Sequence, residues 1–188
     1  MKGKKGQRGF TLVEIAIVLV IIGLLLGAIL KGQEMIKSAK IKRVVKQADE
    51  LRAAAYTYQD LYKYLPGDDP GATRWTGGTP GNGNGLVGSG ESAALFFQHL
   101  SLSGLISFVP SPTDLYPNHA FGGDVQMYWQ TAQGKTGHWF SFLNFPGDVA
   151  RIIDISYDDG VFNTGTIRGS ADYGTTPPPS AVTLYIEF

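Results

Sequence analysis

The chain has 188 residues, no cysteine, and sixteen basic side chains balanced by sixteen acidic ones. That length accommodates one membrane helix and one soluble domain of ordinary size. The missing cysteines exclude a disulfide framework, a thiolate metal site and a cysteine nucleophile. The zero net charge hides an asymmetry: ten of the sixteen Lys and Arg precede Gln47, whereas from Tyr64 onward only Arg74, Lys135, Arg151 and Arg168 face eleven acids. An acidic half lacks the basic groups that neutralise phosphate, so no nucleic-acid partner is expected.

Residues 1–9 carry Lys2, Lys4, Lys5 and Arg8 and no acid. Gly9-Phe10-Thr11-Leu12-Val13-Glu14 follows, and Ile15 to Leu30 is unbroken apolar residues and glycine. About 20 such residues span a bilayer as a helix. A charged side chain at that depth costs roughly 2.5–3.5 kcal/mol, so Glu14 marks a functional position. An ordinary secretory signal needs an apolar core of about 7–15 residues and a small-residue cleavage site. This run is too long, and Leu26-Gly27-Ala28-Ile29-Leu30-Lys31 is a poor site. An uncut anchor explains the length but not the carboxylate.

Gly9 to Glu14, with the basic leader before it and the apolar run behind, resembles the class III signal of type IV pilins and type II secretion pseudopilins. The resemblance implies a prepilin peptidase, a membrane aspartyl enzyme, cutting between Gly9 and Phe10 from the cytoplasmic side. It implies methylation of the new Phe10 amine by the same enzyme, and a meeting of Glu14 with a neighbouring subunit's amino terminus during assembly. The implied protein is a structural subunit of a pilus or pseudopilus, not an enzyme. Its implied partners are other pilin or pseudopilin subunits, an inner-membrane assembly platform and membrane lipid. Its implied location is the inner membrane, single-pass with the globular domain on the periplasmic side, before extraction into a filament.

Topology sets two signals against each other. The basic leader favours a cytoplasmic N-terminus. Yet Lys31, Lys37, Lys40, Lys42, Arg43 and Lys46 follow the apolar run against Glu34 alone, and charge counting there favours the reverse orientation. The resemblance sides with the leader. The second basic cluster then suits anionic lipid headgroups or acidic faces of neighbouring subunits.

Downstream, Ile41, Val44, Ala48, Leu51, Ala55, Tyr58, Tyr62 and Leu65 recur at alternating spacings of 3 and 4, one apolar stripe on a helix. No proline interrupts Thr11 to Tyr64, which predicts a single helix of roughly 54 residues and about 80 Å. Pro66-Gly67 ends it. The same spacing suits a coiled-coil seam, but the small and aromatic members fit a sheet face better. Gly23-x-x-x-Gly27 either permits close helix approach or is simply tolerated glycine. The division expected is leader 1–9, transmembrane and assembly helix 10–30, amphipathic continuation 31–65 and globular domain 66–188.

Residues 66–90 hold nine glycines and three prolines, a long loop of the kind that is functional or disordered. Leu65-Pro66-Gly67-Asp68 again resembles a subset of pilin-like proteins, and that resemblance implies a connection draped over the sheet on the filament surface. Glu91–Leu100 reads as a short helix with Leu95, Phe96, Leu100 and Leu102 inward and Gly104 as its stop. Period-two alternation at 125–130 and the run 138–145 predict strands, as does 181–188 after an extended Pro177-Pro178-Pro179 lead-in. Residues 146–155 predict a helix of one or two turns, with Asp148 at its start. The expected fold class is α+β: a long N-terminal helix packed on a small antiparallel sheet, pilin-like.

Catalytic motifs are missing. His99, His119 and His138 lack metal-ligand spacing, and Gly81-Asn82-Gly83-Asn84-Gly85 lacks the lysine and the strand-to-helix setting of a phosphate loop. Asp154, Asp158, Asp159 and Asn163, with Asp172 as an outer member, form one polar constellation. Calcium takes six to eight oxygen ligands, and such side chains supply them. No cofactor is required, and calcium is the one candidate. Asp159-Gly160 reads equally as a plain turn capped by Asp158. A second function class is a membrane-anchored extracytoplasmic binding module for carbohydrate or protein, using Trp75, Trp129, Trp139 and tyrosines. Those aromatics suit a small domain's core as well.

Overall fold

The computed structural model describes residues 11–188. One helix, α1, runs Leu12–Tyr62 without a break. The chain divides into two compact units after Ala39. In the first, residues 12–31 are exposed on every side, and among the described residues nothing beyond the helix's own adjacent backbone lies within 4 Å of the Cβ position of Gly23, Gly27 or Gly32. That stretch makes α1 long and apolar enough to cross a membrane.

In the second unit α1 is amphipathic, as the stripe requires. Val44, Ala48, Leu51, Ala55 and Tyr58 are buried, and Ile41, Tyr62 and Leu65 pack against the same core. The opposing surface is a four-stranded antiparallel sheet, β1 (Val125–Ala132), β2 (Lys135–Phe145), β3 (Ile167–Gly169) and β4 (Val182–Glu187), in the order β1-β2-β4-β3. Register explains why the core is where it is. Met127 pairs Phe140, Phe140 pairs Ile186, and Ile186 pairs Ile167, so one row of the inner face is apolar across all four strands. Val125, Phe142 and Leu184 form the next row. Ala48 and Ala55 on α1 are buried in the same core as these bulky rows, small residues beside large ones.

The β1–β2 hairpin closes through Gln133 and Gly134, both at positive φ (45° and 82°), the two-residue turn whose twist matches that of the strands. Helix α2 (Ala94–Leu102) buries Leu95, Phe96, Phe97 and Leu100. Helix α3 (Gly147–Tyr157) buries Val149, Ala150, Ile153 and Asp154.

Four elements differ from the sequence expectation. The long helix is 51 residues, because its first hydrogen-bonded turn starts after Thr11 and Lys63 takes a left-handed φ of 68°. Helix α2 starts and ends later than expected. Helix α3 has 11 residues, about three turns, and runs on to Tyr157. Strand β3 has no sequence counterpart. Its middle residue, Arg168, is buried while its guanidinium donates to the carbonyls of Ala132 (3.1 Å), Gln133 (2.8 Å) and Gly165 (3.0 Å).

The glycine-dense loop is not loosely draped. Pro66 to Asp69 are buried, and the loop wraps two carboxylates. Asp68 accepts from the Asn84 and Gly85 N–H groups, both at 2.8 Å. Gly81 comes so close that a Cβ there would lie 2.3 Å from the Asp68 carbonyl carbon, so only glycine fits that position.

Candidate functional site

The start of α1 is built by a reciprocal cap. Thr11 N–H and Thr11 Oγ1–H each donate to Glu14 Oε2 at 2.8 Å, and Glu14 N–H donates back to Thr11 Oγ1 at 3.3 Å. This is the Ser/Thr-x-x-Glu arrangement that satisfies orphan donors at a helix N-terminus, and the carboxylate also sits favourably in the first turn of the helix dipole. Glu14 therefore has a local role that the sequence reading missed, although Thr11-Leu12-Val13-Glu14 spells it out. Oε2 takes both hydrogen bonds and Oε1 takes none among the described residues. The expected cleavage and methylation positions, Gly9 and Phe10, lie outside the described residues.

The acidic constellation is partly assembled. Asp154, Asp158 and Asp159 place one carboxylate oxygen each within 4.8 Å of one another. Each also organises the loop after α3. Buried Asp154 accepts from Gly160 N–H at 3.0 Å and from the Tyr173 hydroxyl. Asp158 Oδ2 accepts from Thr166 N–H (2.6 Å) and Ile167 N–H (2.7 Å), which fixes the start of β3. Asp159 accepts from Val161 N–H (2.9 Å) and the Thr164 hydroxyl (2.5 Å). Burial pushes the Asp154 carboxyl up, reinforced by the charges of Asp158 and Asp159, although the Tyr173 and Gly160 hydrogen bonds oppose it. Asn163 is exposed on the same loop. Asp172 instead accepts from its own loop, from Gly174 N–H at 2.7 Å.

An all-oxygen donor set of three carboxylates suits a hard divalent cation, and Asp158 Oδ1 carries no hydrogen bond among the described residues. Asp154, Asp158 and Asp159 are the residues that would hold calcium, a charge that would offset their mutual repulsion.

The three histidines are structural. His99 Nδ1 accepts from Gly67 N–H (2.9 Å) while its Nε2–H donates to Thr79 O (2.8 Å). His119 joins Leu143 O (2.8 Å) and Phe121 N–H (3.2 Å). His138 accepts from Val87 N–H at 3.2 Å. Burial lowers the pKa of all three. The tryptophans give the binding-module reading little surface. Trp139 is fully buried, between Lys135 Nζ at 5.8 Å and the Arg168 guanidinium at 5.6 Å from its ring centroid. Trp75 packs against the core, and Trp129 is 37 % exposed.

Residues 4–30 match the family model of the prokaryotic N-terminal methylation motif. The match runs from Lys4 in the leader through the apolar run, and over that stretch it supports the chain's similarity to prepilin-type proteins of the type IV pilin and pseudopilin family. No curated protein and no solved structure matches the chain. The motif's family is structural rather than enzymatic. The motif implies processing by prepilin peptidase and assembly with pilin subunits, and with the apolar helix it supports membrane anchoring.

Proposed function

We propose that this chain is a structural subunit of a type IV pilus or type II secretion pseudopilus. Prepilin peptidase cuts it between Gly9 and Phe10, and the chain joins the filament through its N-terminal helix. The observation that carries this reading is an apolar helix exposed on every side over residues 12–31, headed by a single carboxylate held at the helix start by Thr11. Such a helix is stable in lipid or in an equally apolar bundle, and nowhere in water. Glu14 Oε1 is the atom open to a neighbour's Phe10 amine, and pairing there neutralises a charge that is costly in either apolar setting. The domain is placed on the periplasmic side before extraction, with the assembly platform on the membrane.

The intact mass of the chain purified from its native membrane tests this. The expected mass corresponds to loss of residues 1–9 plus one methyl group on Phe10. A mass that retains Met1 returns the helix to a plain anchor and favours the binding-module class.

Calcium at Asp154, Asp158 and Asp159 belongs to the same proposal as a stabiliser of the loop between α3 and β3. Millimolar calcium is expected to raise the Tm of the detergent-solubilised chain, the underlying stabilisation being about 2.7 kcal/mol at a hundredfold excess over Kd. Asp158→Asn abolishes that rise. A Tm indifferent to calcium in the unaltered chain removes the site.

A further inference from the structure

Residues 40–188 leave six large aliphatic side chains exposed: Leu61, Val109, Leu115, Ile152, Ile155 and Val161. Five of these six lie on two segments, the loop after α2 and α3 with the loop that follows it, and solitary Leu61 is the exception. Scattered exposed aliphatics need no explanation, whereas segregated ones mark contact surfaces.

The first place is concave. A groove of about 760 Å3 lies between α1 and the loop after α2, with Leu51, Ala54, Ile106 and Phe108 as its apolar lining. Val109 (73 % exposed) and Leu115 (43 % exposed) belong to that loop, each next in sequence to a lining residue, Phe108 and Asp114, without lining the groove themselves. Arg43 and Glu50 line it from the helix side and Asp114 from the loop side. The second place is convex. Ile152 and Ile155 lie nearly one turn apart on the outward side of α3, opposite its buried Val149, Ala150 and Ile153. Val161 follows Gly160, where a Cβ would sit 3.0 Å from Ile155 Cγ1, so the loop is pressed against the helix and extends its apolar ridge.

We propose that the α3 ridge of one copy docks in the groove between α1 and the post-α2 loop of a second copy. This rests on the filament reading and deepens it by naming the contact between globular domains. The two patches are unlike, so the contact is heterologous and does not close as a two-fold dimer; within the filament reading it repeats as an open helical array. Charge complements shape. Arg151 sits beside Ile152 on the ridge and meets Glu50 and Asp114 at the groove. Apolar groups at the centre with opposite charges at the rim is the ordinary anatomy of a protein–protein contact, and the rim charges set register and reject wrong partners.

The absence of cysteine makes cross-linking readable. Ser107→Cys, at the groove, is combined with Ile155→Cys in the full chain, expressed with its assembly machinery and oxidised in cells. The expected product is a ladder of covalent multimers beyond the dimer, with neither single variant cross-linking. A dimer from Ser107→Cys alone means groove meets groove and overturns the proposal. A product of foreign mass puts a different chain in the groove and overturns it too. The sheared-filament fraction separates the two levels: filaments without a ladder sink this contact alone, while no filaments from the unaltered chain sinks the filament reading as well. A charge swap gives an independent check. Arg151→Glu lowers incorporation by roughly tenfold or more, and adding Asp114→Arg restores it. A neutral Arg151→Glu, or a failed rescue, overturns the contact.

Discussion

Glu14→Ala and Glu14→Gln both leave leader removal intact and lower incorporation into filaments by about 60- to 300-fold. That range is the roughly 2.5–3.5 kcal/mol cost of a lone charge at bilayer depth, at 1.4 kcal/mol per tenfold. The charge left alone is the neighbour's Phe10 ammonium, which enters the apolar bundle with no anion to meet it. The two substitutions matter as a pair because Glu14 has two roles. Alanine removes the carboxylate and also the partner of Thr11 N–H and Oγ1–H in the cap. Glutamine keeps an acceptor there, and it serves in the same capping arrangement, so the helix start survives while the charge does not. Counting processed chain in the membrane and in the sheared-filament fraction reads both steps. Wild-type incorporation of Glu14→Gln would make the carboxylate a helix cap and nothing more.

The sequence announced the parts of this molecule that depend on local periodicity. Every residue of the stripe from Ile41 to Leu65 belongs to the core or packs against it, because spacing on a helix fixes which side chains share a face. Strands β1, β2 and β4 follow from alternation and from runs of β-branched and aromatic residues for the same reason. What stayed hidden depends on partners far along the chain. Strand β3 is three residues long and is held by Arg168 reaching the β1–β2 hairpin 35 and 36 positions away; no local pattern encodes that reach. Phe97 is as fully buried as its neighbour Phe96, which breaks the one-sided expectation for α2. Phe108 and Tyr116 from the following loop cover its second side, at ring distances of 6.2 and 6.1 Å. At the candidate site, the closeness of Asp154, Asp158 and Asp159 followed from their near-adjacent numbers. The burial of Asp154 did not, since it is set by Tyr173 folding back onto it.

Asp68 and Asp69 show the same limit, and Asp69 yields the strongest stability prediction. Its side chain is fully buried while the Arg74 guanidinium that pairs with it at 2.6 Å is 35 % exposed. Tyr58 O–H donates to Oδ2 at 2.7 Å and Gly71 N–H to Oδ1 at 2.7 Å, so the carboxylate ties α1 to the loop that follows it. Asp69→Ala strands a buried phenol and a backbone N–H. Removing one member of a buried pair costs about 3–5 kcal/mol, and the hydration open to Arg74 puts this case near the lower end. At roughly 2–4 °C per kcal/mol for a chain of this size, the Tm falls by about 6–12 °C.

Asp69→Asn keeps one oxygen acceptor for either Tyr58 or Gly71, costs less than alanine, and removes the charge. Burial alone pushes the Asp69 carboxyl up, but the hydrogen bonds from Arg74, Tyr58 and Gly71, with the Arg74 charge, outweigh it and hold the net value below the ordinary one. A carboxylate with a depressed folded pKa stabilises above its unfolded value, about 3.9, and loses that contribution as pH falls through the folded value. Melts from pH 6 downward therefore show the unaltered chain losing stability more steeply than Asp69→Asn. Tyr58 contributes to the alkaline side together with Tyr173, whose phenol is raised by burial and its hydrogen bond to Asp154. Burial, then the hydrogen bond to Asp69, keeps the Tyr58 phenol protonated far above the usual range. Unfolding then releases a proton above about pH 10, and stability falls as pH rises. Tyr58→Phe makes that alkaline limb shallower, leaving the part due to Tyr173, and parallel limbs in the two proteins would mean that the Tyr58 phenol does not couple to folding.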